Sequence, residues 1–458
     1  MKKYIGDRKF YKMLFKVAIP IMLQNGISNF VSLLDNIMVG RLGTEQMSGV
    51  SIVNQLIFVF FLCIFGAVGG IGIFTAQYAG QKNDEGIRQT FRFKIIVSAV
   101  VLVIFTAIFM LKGSELISLY LHEGSEGGDL DLTLSCAKIY LMYSLVGLIP
   151  FVIDSVYSST MRECGETVIP MIASVVAVIT NLILNYILIF GKLGVPALGV
   201  VGAALATTIS RFVQAFIVVI YLHSKIDRFS YIVGMYHSFK VEFELAKKMI
   251  IMATPLIINE TLWAAGMAMQ TQAYSVRGLA SVAGLNINGT IFNVFSIAFI
   301  ALGDSVAIIV GQQLGAGNYE KAKDTAYKII FFSTAISLVL GVVVYALAPV
   351  FPLIYNTTDE VRVVATKLIE KMAILLPVSG FLHATYFTIR SGGKTGITFL
   401  FDSVFLWVIT VPLAYALVYK TNMTVYMVYF LVEATNIIKS FIGWLIMRSG
   451  IWIQNIVE

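Results

Sequence analysis

The stretch Thr167–Gly191 reads TVIPMIASVVAVITNLILNYILIFG and contains no charged residue, although Glu166 and Lys192 flank it. A helix needs about 20 apolar residues to cross the hydrocarbon core of a bilayer, so this stretch is long enough to span a membrane. Ile95–Leu111 and Ile329–Thr358 are charge-free in the same way. These runs are continuous rather than alternately polar and apolar, and they therefore indicate spanning helices, not barrel strands.

The composition extends this interpretation to the whole chain. Hydrophobic residues make up 58% of the 458 residues and charged residues only 13%, whereas soluble domains have roughly 25% charged residues. The net charge of +7 does not indicate nucleic-acid binding, because the basic residues are spread between the apolar runs. The cysteines and histidines show no metal-binding spacing, and no phosphate-binding Walker A loop occurs, so we expect neither a cofactor nor enzyme activity.

Apolar runs and turn signals together predict an all-α integral membrane protein with about twelve transmembrane helices. The first apolar stretch has no cleavage site after it, so we expect it to be retained as a helix. The predicted spans are 11–39, 48–79, 94–112, 133–161, 167–190, 199–222, 245–275, 282–314, 327–349, 362–389, 397–419 and 424–447.

Orientation follows from the Lys and Arg residues of the connections, which are enriched on the cytoplasmic side of membrane proteins. The connections on one side of the predicted topology carry roughly three times as many Lys and Arg residues as those on the other side. This basic side includes Lys2 and Lys3 at the N-terminus. The opposite side carries an acidic loop that includes Glu123 and Glu126. We therefore expect both termini to be cytoplasmic, in the plasma (inner) membrane of a prokaryote.

The chain also repeats itself. The same residue types recur about 235 positions apart, and an Arg-x-x-Gly-x-Thr motif recurs about 228 positions apart. We expect a six-helix N-terminal lobe over 1–228, a cytoplasmic connector to about 243, and a six-helix C-terminal lobe over 244–458. Parallel repeats of this kind are typical of transporters that handle substrate where two lobes meet. Pro20 and Pro255 also match, and we expect each of these two prolines to open a spanning helix. The other matching pairs are Gly49 and Gly284, Gly80 and Gly315, Asn83 and Asn318, Glu85 and Glu320, and the motifs at Arg162 and Arg390.

Ionisable residues inside spans are costly in lipid and therefore mark candidate functional sites. Asp35 lies near the outer end of the first predicted helix, and a carboxyl group shielded from water can exchange a proton near neutral pH or hold a sodium ion. The alternative is an interfacial Asp35 paired with Arg41. Asn181 and Asn185 share one face of the fifth helix at i, i+4, where their amides either join a cation site with Asp35 or pack two helices.

Glu260 in the seventh helix is the second candidate for binding the coupling ion. Trp263 and Met267 follow it at i+3 and i+7 on the same helical face, and a carboxylate beside aromatic and thioether groups suits a hydrophobic cation. The alternative is a structural acid paired with a neighbouring helix. Trp263, Met267, Gln24 and Asp154 are the candidate substrate-binding residues. For the remaining charged groups in spans, a structural role is favoured; they are Asp304, Asp402 near a predicted boundary, Glu433, Arg211 and His383.

Several of these residues lie in motifs that resemble the multidrug and toxic compound extrusion (MATE) transporters over essentially the whole chain. The resemblance implies two six-helix lobes in a V and export of organic cations in exchange for H⁺ or Na⁺. It assigns Asp35 to the N-lobe cation site, lined by Asn181 and Asn185, and matches Glu260 to the seventh-helix acid of some members. The motifs are Leu34–Gly43, Gln77–Gly80, Ser159–Thr167, Asn181–Tyr186 and Gly199–Thr207.

Two departures from the family pattern leave the coupling ion and its stoichiometry open. Ser379 stands where some members have a tenth-helix acid, and Asn185 stands where some relatives have a fifth-helix acid. If the ion is Na⁺, Asp35, Asn181 and Asn185 are its expected ligands.

The function we predict is cation-coupled antiport of amphipathic, often cationic compounds by a monomer in the bilayer. A flippase for a lipid-linked substrate is the alternative; a cleft lined with Arg or Lys would favour it, whereas the first two helices offer Gln24, Asn25, Asn29 and Gln55. A membrane-embedded enzyme would need clustered acids for metal binding, and the sequence has none of the paired motifs.

Overall fold

The computed structural model describes residues 4–121 and 129–458, and within these ranges it contains helices and no strands. Twelve of the described helices are long and apolar enough to cross a membrane, which confirms the predicted fold class. Lys2, Lys3, Glu123 and Glu126, used in the orientation argument, lie outside the described residues. The helices are α1 Arg8–Gly40, α2 Thr44–Gln81, α3 Asp84–Ser118, α4 Leu130–Glu163, α5 Val168–Phe190, α6 Gly199–Ser224, α7 Phe243–Ser275, α8 Leu279–Gly315, α9 Tyr319–Leu347, α10 Asp359–Ser391, α11 Thr395–Lys420 and α12 Val425–Ser449.

The two prolines of the repeat lie inside helices rather than opening them as predicted. Pro20 and Pro255 are interior residues of α1 and α7, and each comes twelve residues after the first residue of its helix. An interior proline removes one backbone hydrogen bond and bends the helix. The equal offset places this local weakness at the same point of the first helix in each half of the chain.

The predicted start of α3 at residue 94 was wrong, because the helix begins at Asp84. Asn83 caps it, with its side chain accepting a hydrogen bond from the Gly86 backbone N–H. A hydropathy argument ends an apolar run at its first charges, but here Lys94 is fully buried. Its ammonium forms an ion pair with Glu163 of α4, so the charge is accommodated inside the protein.

Helix α11 is irregular where it carries its acid. Two π-helical turns, Leu400–Val404 and Leu406–Thr410, lie between its α-helical ends. A π turn has an i to i+5 hydrogen-bond pattern, is rare, and frequently occurs at functional sites. Asp402 lies in the first of these turns.

The chain divides into two compact units. One, called the N-terminal unit here, comprises Leu23–Thr75 and Asn83–Ile250. The other, the C-terminal unit, comprises Ile251–Glu458 together with Ala76–Lys82 and the residues up to Met22. The lobe boundaries inferred from the repeat remain a prediction.

In the N-terminal unit, α4 packs against both α3 and α6, and α5 packs against α6. Phe60 and Phe91 are among its fully buried side chains. The connector after α6 belongs to this unit and is fixed to α3: Arg88 Nε donates to the Tyr231 carbonyl at 3.1 Å, and Arg92 donates to the Gly234 and Met235 carbonyls, both at 2.8 Å. These contacts satisfy backbone acceptors of a loop that has little regular structure of its own.

In the C-terminal unit, α10 is central and packs against α8, α9 and α12. The ends of α2 and α8 cross backbone to backbone in the same unit. A Cβ added at Gly80 would lie 1.9 Å from the Gln312 carbonyl oxygen, and one at Gly315 would lie 1.9 Å from the Gln77 carbonyl oxygen. Only glycine permits so close an approach, which explains the Gly80 and Gly315 pair of the repeat.

The segment after α12, residues 450–458, packs into the C-terminal unit. Trp452 is fully buried. The side chain of Gln77, also fully buried, donates to the Ser391 and Gln454 carbonyls at 3.0 and 3.1 Å and accepts from the Ile456 N–H at 2.8 Å. Gln77 therefore joins the end of α2 to residues close to the end of the sequence.

Candidate functional site

The structure brings Asp35, Asn181 and Asn185 together in the N-terminal unit. Asn185 Nδ2 donates to Asp35 Oδ1 at 2.5 Å. The Asn181 amide, oriented so that both of its polar atoms are satisfied, places Nδ2 2.8 and 3.1 Å from the two Asp35 carboxylate oxygens. Both asparagines are buried, whereas Asp35 is partly buried.

The positions of these residues follow from the helices. Asp35 and Asn185 each lie five residues before the last residue of their helices, α1 and α5. The i, i+4 spacing puts Asn181 one turn below Asn185 on the same face of α5, as predicted. A carboxylate carried by one helix thus meets two amides carried by another.

The charge of Asp35 has no counter-ion among the described residues. No Lys, Arg or His nitrogen lies within 4.0 Å of its carboxylate in the described ranges, and Arg41 is exposed beyond the end of α1. The alternative pairing with Arg41 is therefore absent from this arrangement. Asp35 receives neutral amide donors, which leave its negative charge in place.

One acceptor in this cluster is also unused. Asn185 Oδ1 is buried and has no hydrogen-bond donor among the described residues. Buried polar atoms are nearly always paired, so this unpaired oxygen, on the amide whose Nδ2 donates to Asp35, calls for an explanation. Carboxylate and amide oxygens are the ligands that hard cations prefer, and the arrangement can accept a cation or, at Asp35, a proton.

Gln24 and Asp154, two of the predicted substrate-binding residues, are linked in the same unit. Ser174 Oγ accepts hydrogen bonds from Gln24 Nε2 at 2.8 Å and from Gln214 Nε2 at 3.1 Å. Gln214 Nε2 also donates to Asp154 Oδ2 at 2.8 Å, and Ser158 Oγ donates to Asp154 Oδ1 at 2.7 Å. A polar chain therefore runs from α1 through α5 and α6 to α4.

Sequence reasoning missed Ser174 and Gln214. Ser174 precedes Asn181 by seven residues and so lies on the same face of α5, about 10 Å along the axis. The helical spacing of Ser174, Asn181 and Asn185 could have predicted this position, because these three residues are the buried amide and hydroxyl side chains of α5. One face of α5 thus carries both the Asp35 cluster and the polar chain.

Glu260 lies in a second polar cluster, within the C-terminal unit. The Tyr386 hydroxyl donates to Glu260 Oε1 at 3.5 Å. The neighbouring Asn259 donates from Nδ2 to the Tyr386 hydroxyl at 3.2 Å and to Asp402 Oδ2 at 3.1 Å. Lys439 Nζ lies 2.6 Å from Asp402 Oδ1. Asp402, expected to be an unremarkable boundary residue, is therefore part of a network that ends at Glu260.

Four other predicted residues fall into two groups. Trp263 and Met267 are each 40% exposed on α7, so their side chains are available for contact. His383 is in van der Waals contact with aromatic rings, 5.2 Å from the Phe299 centroid. Arg211 lies over the Phe61 and Phe151 rings, at 5.1 and 5.5 Å. The structural roles expected for His383 and Arg211 remain predictions.

Within the described residues, twelve helices are long and apolar enough to cross a membrane, and partly buried carboxylates lie in polar clusters; these features are typical of membrane transport proteins rather than soluble enzymes. A family model, MatE, matches residues 20–187 and 255–416. The chain belongs to the MATE family of membrane transporters. The two matched segments begin at Pro20 and Pro255, the prolines of the internal repeat.

Two bacterial relatives illustrate the similarity. The chain is 27% identical over 450 residues to the probable multidrug resistance protein NorM of Thermotoga maritima, covering 96% of this chain and 93% of the relative. It is 19% identical to the uncharacterized transporter YisQ of Bacillus subtilis, covering 98% and 96%.

Solved structures establish the fold. An outward-facing multidrug resistance MATE transporter of the MOP superfamily superposes with a TM-score of 0.87 at 20% identity, covering 98% of this chain and 97% of that one. A MOP superfamily transporter from Pyrococcus furiosus, described as having a binding pocket of reverse polarity, gives 0.85 at 21% identity with the same coverage.

Proposed function

We propose that this chain is a secondary active exporter that exchanges H⁺ or Na⁺ for amphipathic, often cationic organic compounds by alternating access. The observation that carries the proposal is the uncompensated Asp35 carboxylate, which accepts a hydrogen bond from the Asn185 amide, whose own Oδ1 oxygen is unpaired. A partly buried negative charge with an unpaired amide oxygen in its cluster favours binding of a small cation.

Coupling requires that the ion bind one conformation more tightly than the other. Asp35 and Asn185 lie on different helices, so any relative movement of α1 and α5 changes the number of oxygens that a bound ion contacts. Pro20 gives α1 a point where it can bend. Ion occupancy would thereby favour the arrangement in which the two residues stay together.

Glu260 is proposed as the coupling acid of the C-terminal unit. It is partly buried and accepts a hydrogen bond from the neutral Tyr386 hydroxyl at 3.5 Å. Among the described residues, no basic nitrogen lies within 4.0 Å of its carboxylate. The buried Arg390 guanidinium is close enough to act on it electrostatically, so Glu260, unlike Asp35, would take up a cation near another positive charge.

Substrate contacts are proposed for two sets of side chains. Trp263 and Met267 offer exposed aromatic and thioether surface for an apolar body, and cation–π attraction suits a positive charge. Asp154 and Gln24 supply an anionic and a polar group in the N-terminal unit, joined by hydrogen bonds. Such mixed surfaces accept varied ligands, in agreement with the multidrug names of the NorM relatives.

We propose that the protein works as a monomer in the plasma membrane with both termini cytoplasmic. The bacterial relatives support a prokaryotic membrane.

The test is transport of a fluorescent organic cation by the purified full chain in liposomes, with a pH gradient or a sodium gradient imposed separately. We expect one gradient to drive transport and Asp35→Asn to reduce it at least tenfold. Asp359→Asn is the matched control, because Asp359 is 94% exposed and forms an ion pair with Arg362 of its own helix. Full gradient-driven transport by Asp35→Asn that expresses normally would refute the mechanism.

A further inference from the structure

The polar cluster of the C-terminal unit contains a lysine that the transport mechanism above does not use. Lys439, on α12, points its ammonium at Asp402 in the first π turn of α11, with Nζ 2.6 Å from Oδ1. The two side chains are only 12% and 18% exposed. A lysine at this depth in a spanning helix is costly unless its charge is balanced.

The surroundings of the ammonium are those of a cation site. Its charge lies over the Phe401 ring at 5.1 Å and the Phe405 ring at 6.0 Å, both within the range of cation–π attraction. Phe401, Asp402 and Phe405 lie close together along α11, in and next to its first π-helical turn. An anion on one side and aromatic faces on the other therefore enclose a single positive charge.

The second oxygen of Asp402 is held by a neutral group. Asn259 Nδ2 donates to Asp402 Oδ2 at 3.1 Å. The orientation of that amide is fixed at its other end, since Asn259 Oδ1 accepts from the Ser403 hydroxyl at 2.7 Å and the Ser403 N–H at 3.3 Å. Asp402 is thus placed to receive one cation at Oδ1, and the Lys439 ammonium already lies there.

The Asp35 cluster provides the comparison within the same molecule. There, two amides meet a carboxylate and no basic side chain is within 4.0 Å among the described residues. At Asp402, one amide meets the carboxylate and an ammonium takes the remaining place. The two sites have similar ligand chemistry and differ in whether the cation is part of the protein.

We propose that Lys439 is a tethered cation that fills a second cation position in the C-terminal unit. Asp402 is then not an exchangeable acid, whereas Glu260 is. Asn259 bonds to both Asp402 and the Tyr386 hydroxyl, so the ion pair also orients the hydroxyl that contacts Glu260. This inference deepens the proposed function and rests on it for the role of Glu260; the nature of the Asp402 site stands independently.

The experiment counts cations on the purified full chain, using sodium alone as the probe. Radioactive sodium binding reports bound Na⁺, and infrared spectroscopy reports protonated carboxyl groups through their carbonyl stretch. We expect Lys439→Ala to bind one more cation per chain than the wild type, as sodium or as a proton on Asp402. Lys439→Arg, which keeps the charge, and Lys439→Ala/Asp402→Asn, which removes the site, should both match the wild-type count.

Asp402→Asn keeps the test decisive if Lys439→Ala does not fold. With a tethered cation, Asp402→Asn leaves the number of bound coupling ions unchanged. A loss of one bound ion in this variant, or an unchanged count in folded Lys439→Ala, would overturn the proposal. Wild-type transport in liposomes is scored separately: absence of gradient-driven transport defeats the antiport function, while the cation counts still decide whether Lys439 fills the Asp402 site.

Discussion

Replacing Lys94 by methionine tests whether a charge buried in the N-terminal unit is held by its partner. Lys94 is fully buried, its ammonium forms an ion pair with Glu163, and it lies 3.2 and 3.1 Å from the Ser159 and Thr160 hydroxyl oxygens. Methionine keeps most of the aliphatic length but removes the charge. The Glu163 carboxylate, 12% exposed, then loses this ammonium while remaining inside the protein.

The magnitude follows from burial. Removing one member of a buried ion pair lowers the free energy of unfolding by about 3–5 kcal/mol, because the other charge stays uncompensated. Lys112 offers the same substitution in the same helix, but its pair with Glu115 is 60% and 69% exposed. An exposed pair contributes about 0–1 kcal/mol, so Lys112→Met should be nearly silent.

In the assay, the purified variants are heated in the same detergent, and size-exclusion chromatography then measures the fraction of each that remains folded. We expect Lys94→Met to denature at a clearly lower temperature than the wild type and Lys112→Met. Lys94→Met/Glu163→Gln should recover most of the loss, because it removes both charges. Equal stability of Lys94→Met and Lys112→Met would refute the reasoning, as would a double variant no better than Lys94→Met.

Three further outcomes are expected from the packing. Gly80→Ala should lower the free energy of unfolding by about 1–3 kcal/mol through overpacking, whereas Gly289→Ala, with nothing within 4 Å of the added carbon, should not; equal melting of the two variants would count against the backbone crossing. Trp452→Ala should cost about 3–5 kcal/mol in the same assay, and an unchanged melting temperature would show that the buried segment after α12 contributes little. Arg92→Met should speed tryptic cleavage at Lys240, because it removes two hydrogen bonds that fix the connector; cleavage at the wild-type rate would contradict that role.

Much of the fold was predictable because hydropathy alone identifies spanning helices. The charge-free run around Asn181 became α5 with bounds close to those predicted, 167–190 against Val168–Phe190. The start of α3 was missed because Lys94 is balanced by Glu163, which lies 69 positions away in the sequence. No local pattern reveals a partner that only folding brings near.

The candidate sites were predictable to a similar degree. Acids inside apolar runs identified Asp35 and Glu260, and helical spacing put Asn181 and Asn185 on one face. Lys439 was missed because its partner Asp402 lies on another helix, 37 positions away in the sequence, and α12 has no acid one turn from Lys439. The π turns that present Asp402 to it have no sequence signature that we used.

The contacts of Gln77 set an order in which the C-terminal unit can be completed during synthesis. Gln77 meets its partners Gln454 and Ile456 across separations of 377 and 379 residues. At about 5–20 residues per second, the ribosome needs roughly 20–75 s to make the intervening chain. During that time the end of α2 is in the membrane without the residues that satisfy its buried amide. The end of α2 can therefore complete its contacts only after residues near position 456 have been made. The C-terminal unit is complete only after both halves of the chain have been inserted.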